Sequence, residues 1–275
     1  MKNKMIAIQG AEGSNHHKVA RDFYGASIEL KECMSFDVLV DSLLDTSTDV
    51  GVMAIENTIA GSIIPNYALI DNNNLHIIGE EYLNIHHHLM CLKGQNIEDV
   101  KEVWSHPMAL LQCKEFFKKY PHIKLVEDVD TAEVAKRISK ENLVGIAAIA
   151  PKIAAEIFDL AIIEDEIQTI KENSTRFVIV QTEQPKLKEN VNKASLKFQL
   201  DHKRGSLAAI LNVLSDCKMS LTKIQSLPVI ETPWKYSFFV DATFDDYKNY
   251  EKAKVIIEIM AEEFKVLGTY KNGRK

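Results

Sequence analysis

The chain has 275 residues, long enough for two domains on the usual size scale. Its 46% hydrophobic and 26% charged content is that of a soluble globular protein, and its net charge of −6 argues against a strongly basic surface. A nucleic-acid partner is therefore not expected, because phosphate binding needs clustered Lys and Arg. No stretch approaches the length of a membrane span, and the apolar run at the N-terminus is too short for a signal peptide, so no membrane partner is expected. Cys33, Cys91, Cys113 and Cys217 stand far apart, with no CxxC, which fits a reducing cytoplasm.

In chain order, residues 6–8 read as a strand ending at Gly10, and residues 50–55, 75–78 and 89–92 as three more. Residues 144–150 form the most continuous apolar run, and their lack of alternation predicts a strand buried on both faces. Helical patterns fall between them at 36–44, 107–120, 131–139 and 151–158. Asp130 followed by Glu133 resembles a capping box, while Pro107 and Pro151 suit first-turn positions. Strands alternating with helices predict an α/β architecture with mostly parallel sheets. A polar cluster, Asn173-Ser174-Thr175-Arg176-Phe177, opens an apolar strand at 177–180.

Residues 181–190 are almost free of apolar side chains and mark a linker, placed at 181–193 between domains 1–180 and 194–275. Beyond it, Leu196, Phe198 and Leu200 alternate with polar residues as in a half-buried strand. Leu207, Ile210, Leu211 and Leu214 follow helical spacing behind Gly205-Ser206. Strands at 224–230 and 236–243, a helix marked by Tyr250, Ala253, Ile257, Met260 and Phe264, and a strand at 266–270 complete a βαββαβ order. That order describes a ferredoxin-like sandwich.

Four polar clusters lie at strand ends, where open α/β sheets place ligands. The first is Gly10-Ala11-Glu12-Gly13-Ser14-Asn15-His16-His17, whose glycines permit either a plain turn or backbone amides approaching an anion. Glu56-Asn57-Thr58 is the second, readable equally as an Asx-type turn. In the third, Ser105, Met108 and Gln112 share one helix face. The fourth is 173–177. The run His86-His87-His88 does not read as a metal site, because adjacent residues point in different directions.

Taken in order, these clusters resemble the signatures of the prephenate dehydratase family: residues 10–17, Ile55-Glu56-Asn57-Thr58, His87-His88-Leu89, Ser105-His106-Pro107 with Gln112-Cys113, and Asn173-Ser174-Thr175-Arg176-Phe177. The resemblance covers roughly residues 4–180. The C-terminal part resembles an ACT domain, with effector-loop motifs at Gly205-Ser206-Leu207 and at 221–228, where Gln225, Ser226, Leu227 and Pro228 sit. The resemblance implies an α/β fold: a bilobed, periplasmic-binding-protein-like catalytic domain plus a ferredoxin-like ACT domain. It implies decarboxylative dehydration of prephenate to phenylpyruvate in a cleft, with no cofactor and no metal, and L-phenylalanine as effector. Thr175, Asn57 and Gln112 match the catalytic positions, with Thr175 contacting the leaving hydroxyl. Ser14, Glu56, Thr58, Ser105 and Arg176 fall at substrate-binding positions. Arg176 is either a carboxylate clamp or, since alternation points it away from Thr175, a structural ion-pair member. Glu56 beside an anion needs a proton or a turned-away side chain.

Four positions depart from the family pattern. Ala11 replaces a proline, Ala60 an acidic residue, and Gln225 and Leu227 the commoner Glu and Arg of the effector loop. A homodimer or homotetramer is expected on the resemblance. The competing expectation, from another functional class, is a non-catalytic small-molecule sensor on the same bilobed fold.

Overall fold

The structure is a computed structural model that describes residues 4–186, 190–201, 203–229, 232 and 235–274. Leu187, Lys188 and Glu189 of the expected linker, and Ile230 at the end of an expected strand, lie outside the described residues. The chain divides into two compact units that are discontinuous in sequence: Met1–Ser62 with Tyr82–Phe177, and Ile63–Glu81 with Val178–Lys275.

The first unit starts with β1 (Met5–Gln9), α1 (Asn15–Tyr24), β2 (Glu29–Cys33), α2 (Phe36–Leu44), β3 (Val50–Asn57) and the short β4 (Gly61–Ser62). β1 pairs in parallel with β2 and β3, and Ile6, Ala7 and Ile8 are fully buried. β5 (His76–Asn84) and β11 (Ser174–Gln181) extend this sheet, in the order β2-β1-β3-β11-β5, with β4 on β3. A second sheet holds β6 (His88–Cys91), β7 (Glu102–Ser105), β8 (Lys124–Glu127), β9 (Ile146–Ala150) and β10 (Ala161–Glu164), in the order β10-β6-β9-β7-β8.

That second sheet departs from the expectation of mostly parallel pairing. β6 runs antiparallel to both β9 and β10, while β7 runs parallel to β8 and β9. β6 enters this sheet directly from β5 of the first sheet, three residues away and with no helix between them. The unalternating run in β9 has a direct cause. Ala147 and Ile149 pack with α4 (Pro107–Phe117), whereas Ala148 and Ala150 pack with α5 (Thr131–Glu141) and α6 (Lys152–Phe158). Helices cover both faces, so both sets of side chains must be apolar.

In the second unit, β12 (Lys193–Gln199), α7 (Ser206–Asp216), β13 (Ser220–Pro228), β14 (Tyr236–Thr243), α8 (Tyr247–Met260) and β15 (Glu263–Tyr270) realise the expected βαββαβ order. The sheet runs β13-β14-β12-β15 and is antiparallel throughout. Phe198, Leu214, Tyr250 and Ile257 anchor its core beneath the two helices.

β12 differs from the half-buried strand expected, because all seven of its residues are buried. Its polar face is covered, in part by α3 (Ile64–Asn72) and the first part of β5, and the covering groups are charged. Lys193 Nζ lies 2.9 Å from both oxygens of Glu80, with the two side chains 2% and 0% exposed. Lys197 pairs with Asp71 and Glu263, and Lys265 with Asp71. Breaking one partner out of such a buried pair costs about 3–5 kcal/mol, since the survivor keeps its desolvated charge. These lysines therefore fix the segment 63–81 onto the C-terminal sheet.

In α1 of the first unit, the His16 ring packs edge-on against Phe36 and Phe177, at 5.6 and 5.0 Å between centroids. Its Nε2 has no hydrogen-bond partner, and burial lowers its pKa from 6.5 to about 3. The unfolded chain takes up this proton as pH falls through 6.5, and the folded chain does not until about 3. Acidification through that window therefore favours unfolding, by about 2 kcal/mol at pH 5. His16→Leu should flatten the fall in stability between pH 7 and pH 5 in denaturant unfolding. An unchanged fall would remove His16 as its source.

Candidate active site

A side-chain carboxamide has two donors and one acceptor oxygen, and its orientation is set by what each end meets. Asn57, at the end of β3, is fixed by its own turn. Its Oδ1 accepts the backbone N–H groups of Ile59 and Ala60, at 2.9 and 2.8 Å. The Asx-type turn expected from the sequence is thus real, and it leaves Nδ2 to face the start of β11. There Nδ2 donates to Asn173 Oδ1 at 2.7 Å and to Thr175 Oγ1 at 2.8 Å.

The second contact determines what Thr175 can do. Its oxygen already receives a hydrogen from Asn57, so its own O–H must point elsewhere, as a donor. Asn173 passes the pattern on, because its Nδ2 donates to Gln112 Oε1 at 3.1 Å. His87 Nε2 lies 2.7 Å from the same oxygen. With Oε1 accepting from Asn173, His87 must carry its proton on Nε2. Burial lowers the His87 pKa, with smaller opposed effects from Gln112 and the flanking histidines, so the ring is neutral at pH 7. Gln112 sits on α4 with its oxygen doubly engaged, which leaves its NH2 group as a second oriented donor. A continuous chain of neutral groups, Thr175–Asn57–Asn173–Gln112–His87, thus links the two sheets of this unit.

Around this chain, Thr58 and Ser174 lock the start of β11 reciprocally. Thr58 N–H donates to the Ser174 carbonyl at 2.9 Å, and Ser174 N–H to Thr58 Oγ1 at 2.9 Å. Glu56 is half-buried and precedes Asn57 on β3, so alternation turns it to the other face. Arg176 is 2% exposed and follows Thr175 on β11, on the opposite face by the same rule.

Ser105 stands apart. It is fully buried, and its hydroxyl donates to the Ile149 carbonyl at 2.7 Å, so its only proton is engaged in joining β7 to β9. Ser14 caps α1, accepting from His17 N–H.

The glycine loop before α1 is not an open anion cradle. Gly10 N–H bonds the Cys33 carbonyl, Glu12 N–H the Glu32 carboxylate and Gly13 N–H the His17 Nδ1. Asp130 lies against Gly10 and accepts from the N–H groups of Ala132 and Glu133, and burial raises its pKa against the pull of its backbone donors. Gly13, at φ +89°, also sits where a Cβ would come within 3.1 Å of Ala154 Cα. Its glycine serves close packing of the loop on α6.

Asn173 and His87 lie inside the family signatures, which give them no role of their own in the site. For Asn173 a signal was present, since period-2 alternation puts it on the same face as Thr175. Nothing local pairs His87 with Gln112, 25 residues away. Among the described residues, no group of three or more His, Cys, Asp or Glu is placed to hold a metal ion.

The effector candidates lie in the second unit. Gly205 precedes α7 at φ +85°, and the Ser206 hydroxyl donates to Asp201 at 2.6 Å. Ser206 and Leu207 line a cavity of about 450 Å³ with Tyr236 and Phe238. Gln225, Ser226, Leu227 and Pro228 lie on β13, the edge strand, and do not line that cavity.

The sequence profile of the prephenate dehydratase family matches residues 6–185, which include every member of the amide chain. The chain belongs to this family. A bifunctional chorismate mutase/prephenate dehydratase of Buchnera aphidicola subsp. Acyrthosiphon pisum is 31% identical over 247 residues, covering 87% of this chain. The chain spans 64% of that relative's length. The arogenate dehydratase/prephenate dehydratase 2 of Arabidopsis thaliana, described as chloroplastic, is 35% identical over 277 residues, covering 96% of this chain and 72% of the relative. Among solved structures, the prephenate dehydratase of Arthrobacter aurescens in complex with L-Phe shares the fold. Its TM-score is 0.84 at 21% identity, covering 98% of this chain and 90% of that one.

Asn57→Asp tests the chain's polarity without changing its shape. The substitution replaces the donating NH2 by an acceptor facing Asn173 Oδ1 and Thr175 Oγ1. We expect a loss of about 1–3 kcal/mol in urea unfolding, the cost of leaving buried acceptors unsatisfied. Wild-type stability would mean that the amide orientation is not structural.

Proposed function

We propose that this chain is a prephenate dehydratase, converting prephenate to phenylpyruvate with loss of water and carbon dioxide. The observation that carries this reading is the donor state of Thr175, set by Asn57 Nδ2 on its oxygen. The reaction breaks two bonds of the substrate ring. The ring carboxylate leaves as carbon dioxide, and its C–C electron pair completes the aromatic ring. The hydroxyl across the ring departs with its bonding pair and takes up one proton to become water. Aromatisation supplies the driving force, so the protein's task is to orient the ring and stabilise the departing oxygen.

Thr175 O–H and the Gln112 NH2 group are the two donors suited to that task. A threonine hydroxyl is a weak acid, so Thr175 acts by positioning and charge stabilisation, and the full proton comes from water or a stronger acid. A neutral His87 suits the same chemistry, since it orients Gln112 without adding charge beside a dianion. Thr58 remains the candidate for holding a substrate carboxylate, while Arg176 and Glu56 fall on the opposite faces of their strands and Ser14 is engaged as the cap of α1.

The βαββαβ domain is proposed to be an ACT-type sensor for L-phenylalanine. Its support is the topology, the Gly205–Leu207 turn at the cavity and the L-Phe found with the Arthrobacter aurescens enzyme. Exposed Leu221 and Ile224 on edge strand β13 favour pairing with a second copy. Among the described residues no helix is long and apolar enough to cross a membrane, and a cytoplasmic location is proposed on the dispersed, unpaired cysteines.

Adding purified protein to prephenate at neutral pH should release phenylpyruvate well above the uncatalysed rate. Arogenate, which carries an amino group in place of the keto group, is the parallel substrate because the Arabidopsis thaliana relative's name includes both activities. Binding without turnover of either compound would turn the reading to the non-catalytic sensor.

Thr175→Ala should keep the fold and lower turnover by about 10²–10³-fold, the scale for one transition-state donor. Steady-state kinetics alongside thermal melts would show this. Unchanged turnover takes Thr175 out of the mechanism.

A further inference from the structure

The three-histidine segment has two sides, and the amide chain uses one of them. His87 reaches Gln112, while His86 and His88 face the other way, as alternate residues of extended chain do. On that other side they line a cavity of about 410 Å³ in the first unit. None of Thr175, Asn57, Asn173, Gln112 or His87 lines it. Its walls come from α1, from the chain leaving β5, and from the start of α6.

The charges in these walls are unevenly paired. Lys18 is bound to Asp22 at 2.7 Å, and His88 and His86 face the carboxylates of Asp165 and Glu166 at 3.0 and 3.3 Å. Arg21 and Lys152, by contrast, have no ion pair among the described residues, and Glu156 is the one remaining acid in the lining. Arg21 and Lys152 are therefore the two lining cations whose charge is left to meet an anion. Leu83, Pro151 and Ile153 supply an apolar floor. Unpaired cations over an apolar floor fit an amphiphilic anion better than a bare inorganic one, because the body recovers apolar burial while the guanidinium takes a carboxylate bidentately.

We propose that this cavity is a second ligand site, taking a small carboxylate with an aromatic or aliphatic body, its carboxylate held by Arg21 and Lys152. The site stands whether or not the chain turns over prephenate. Its occupant lies against the backbone of the segment that carries His87, so an occupied cavity adjoins the amide chain without touching it.

The probe is 3-phenylpropanoate, which is neither the proposed substrate nor its product. Histidine-ring NMR of the full chain, with signals assigned through His86→Gln and His88→Gln, reads the cavity directly. The His86 and His88 signals should move saturably with the acid. Its neutral amide, and the Arg21→Ala/Lys152→Ala variant, should each bind at least about tenfold more weakly, the loss of one charge-assisted contact. Both substituted residues lie at the surface of helices, so the fold is retained. The proposal is overturned if these signals stay still up to millimolar acid, if acid and amide bind alike, or if the double variant binds as the wild type does.

Discussion

A carboxamide whose oxygen already holds two backbone N–H groups cannot turn round, and the candidate active site follows from that constraint at Asn57. The turn at the end of β3 fixes the oxygen, so the nitrogen must donate toward β11. Donation to Thr175 then makes the threonine a donor, and donation to Asn173 passes the same direction on to Gln112 and His87. Every proton position in the chain follows from one local turn, with no ionised group in it. Neutrality matters here, because a buried charge would need its own partner and would alter the field that the proposed dianionic substrate meets.

The same segment of three histidines shows how one stretch of backbone can serve two surfaces. Its middle ring is buried and neutral beside Gln112, while its outer rings meet Asp165 and Glu166 at a solvent-facing cavity. Adjacent side chains on extended chain diverge, which is why the three rings do not converge on one point and why the run forms a wall between two sites.

The second unit rests on a different balance. Its sheet has a helix-covered apolar face, held by Phe198, Leu214 and Tyr250, and a face of lysines and polar residues on β12. That polar face is buried because Glu80 and Asp71 cover its lysines. Ion pairs of this kind contribute little net stability relative to apolar packing, but they are intolerant of a wrong partner. They explain why a segment from the middle of the chain belongs with the C-terminal sheet.

By itself the sequence determined the elements whose cause is local. α2 has the bounds its spacing predicts, the run in β9 is buried on both faces, and the βαββαβ order of the C-terminal sheet is as read. The family resemblance of the ordered clusters put Asn57, Gln112 and Thr175 among the site positions, and the hydrogen bonds that join them came from the structure. Less legible was α1, where buried His16 and His17 stand in place of aliphatic residues and hide the helical period. The antiparallel insertion of β6, the covering of β12 by residues 63–81, the engagement of Ser105 with Ile149 and the pairing of His87 with Gln112 were decided only by the tertiary structure. Propensity, period and turn chemistry act over a few residues, whereas the partner that satisfies a buried polar group is chosen by the packing of distant segments.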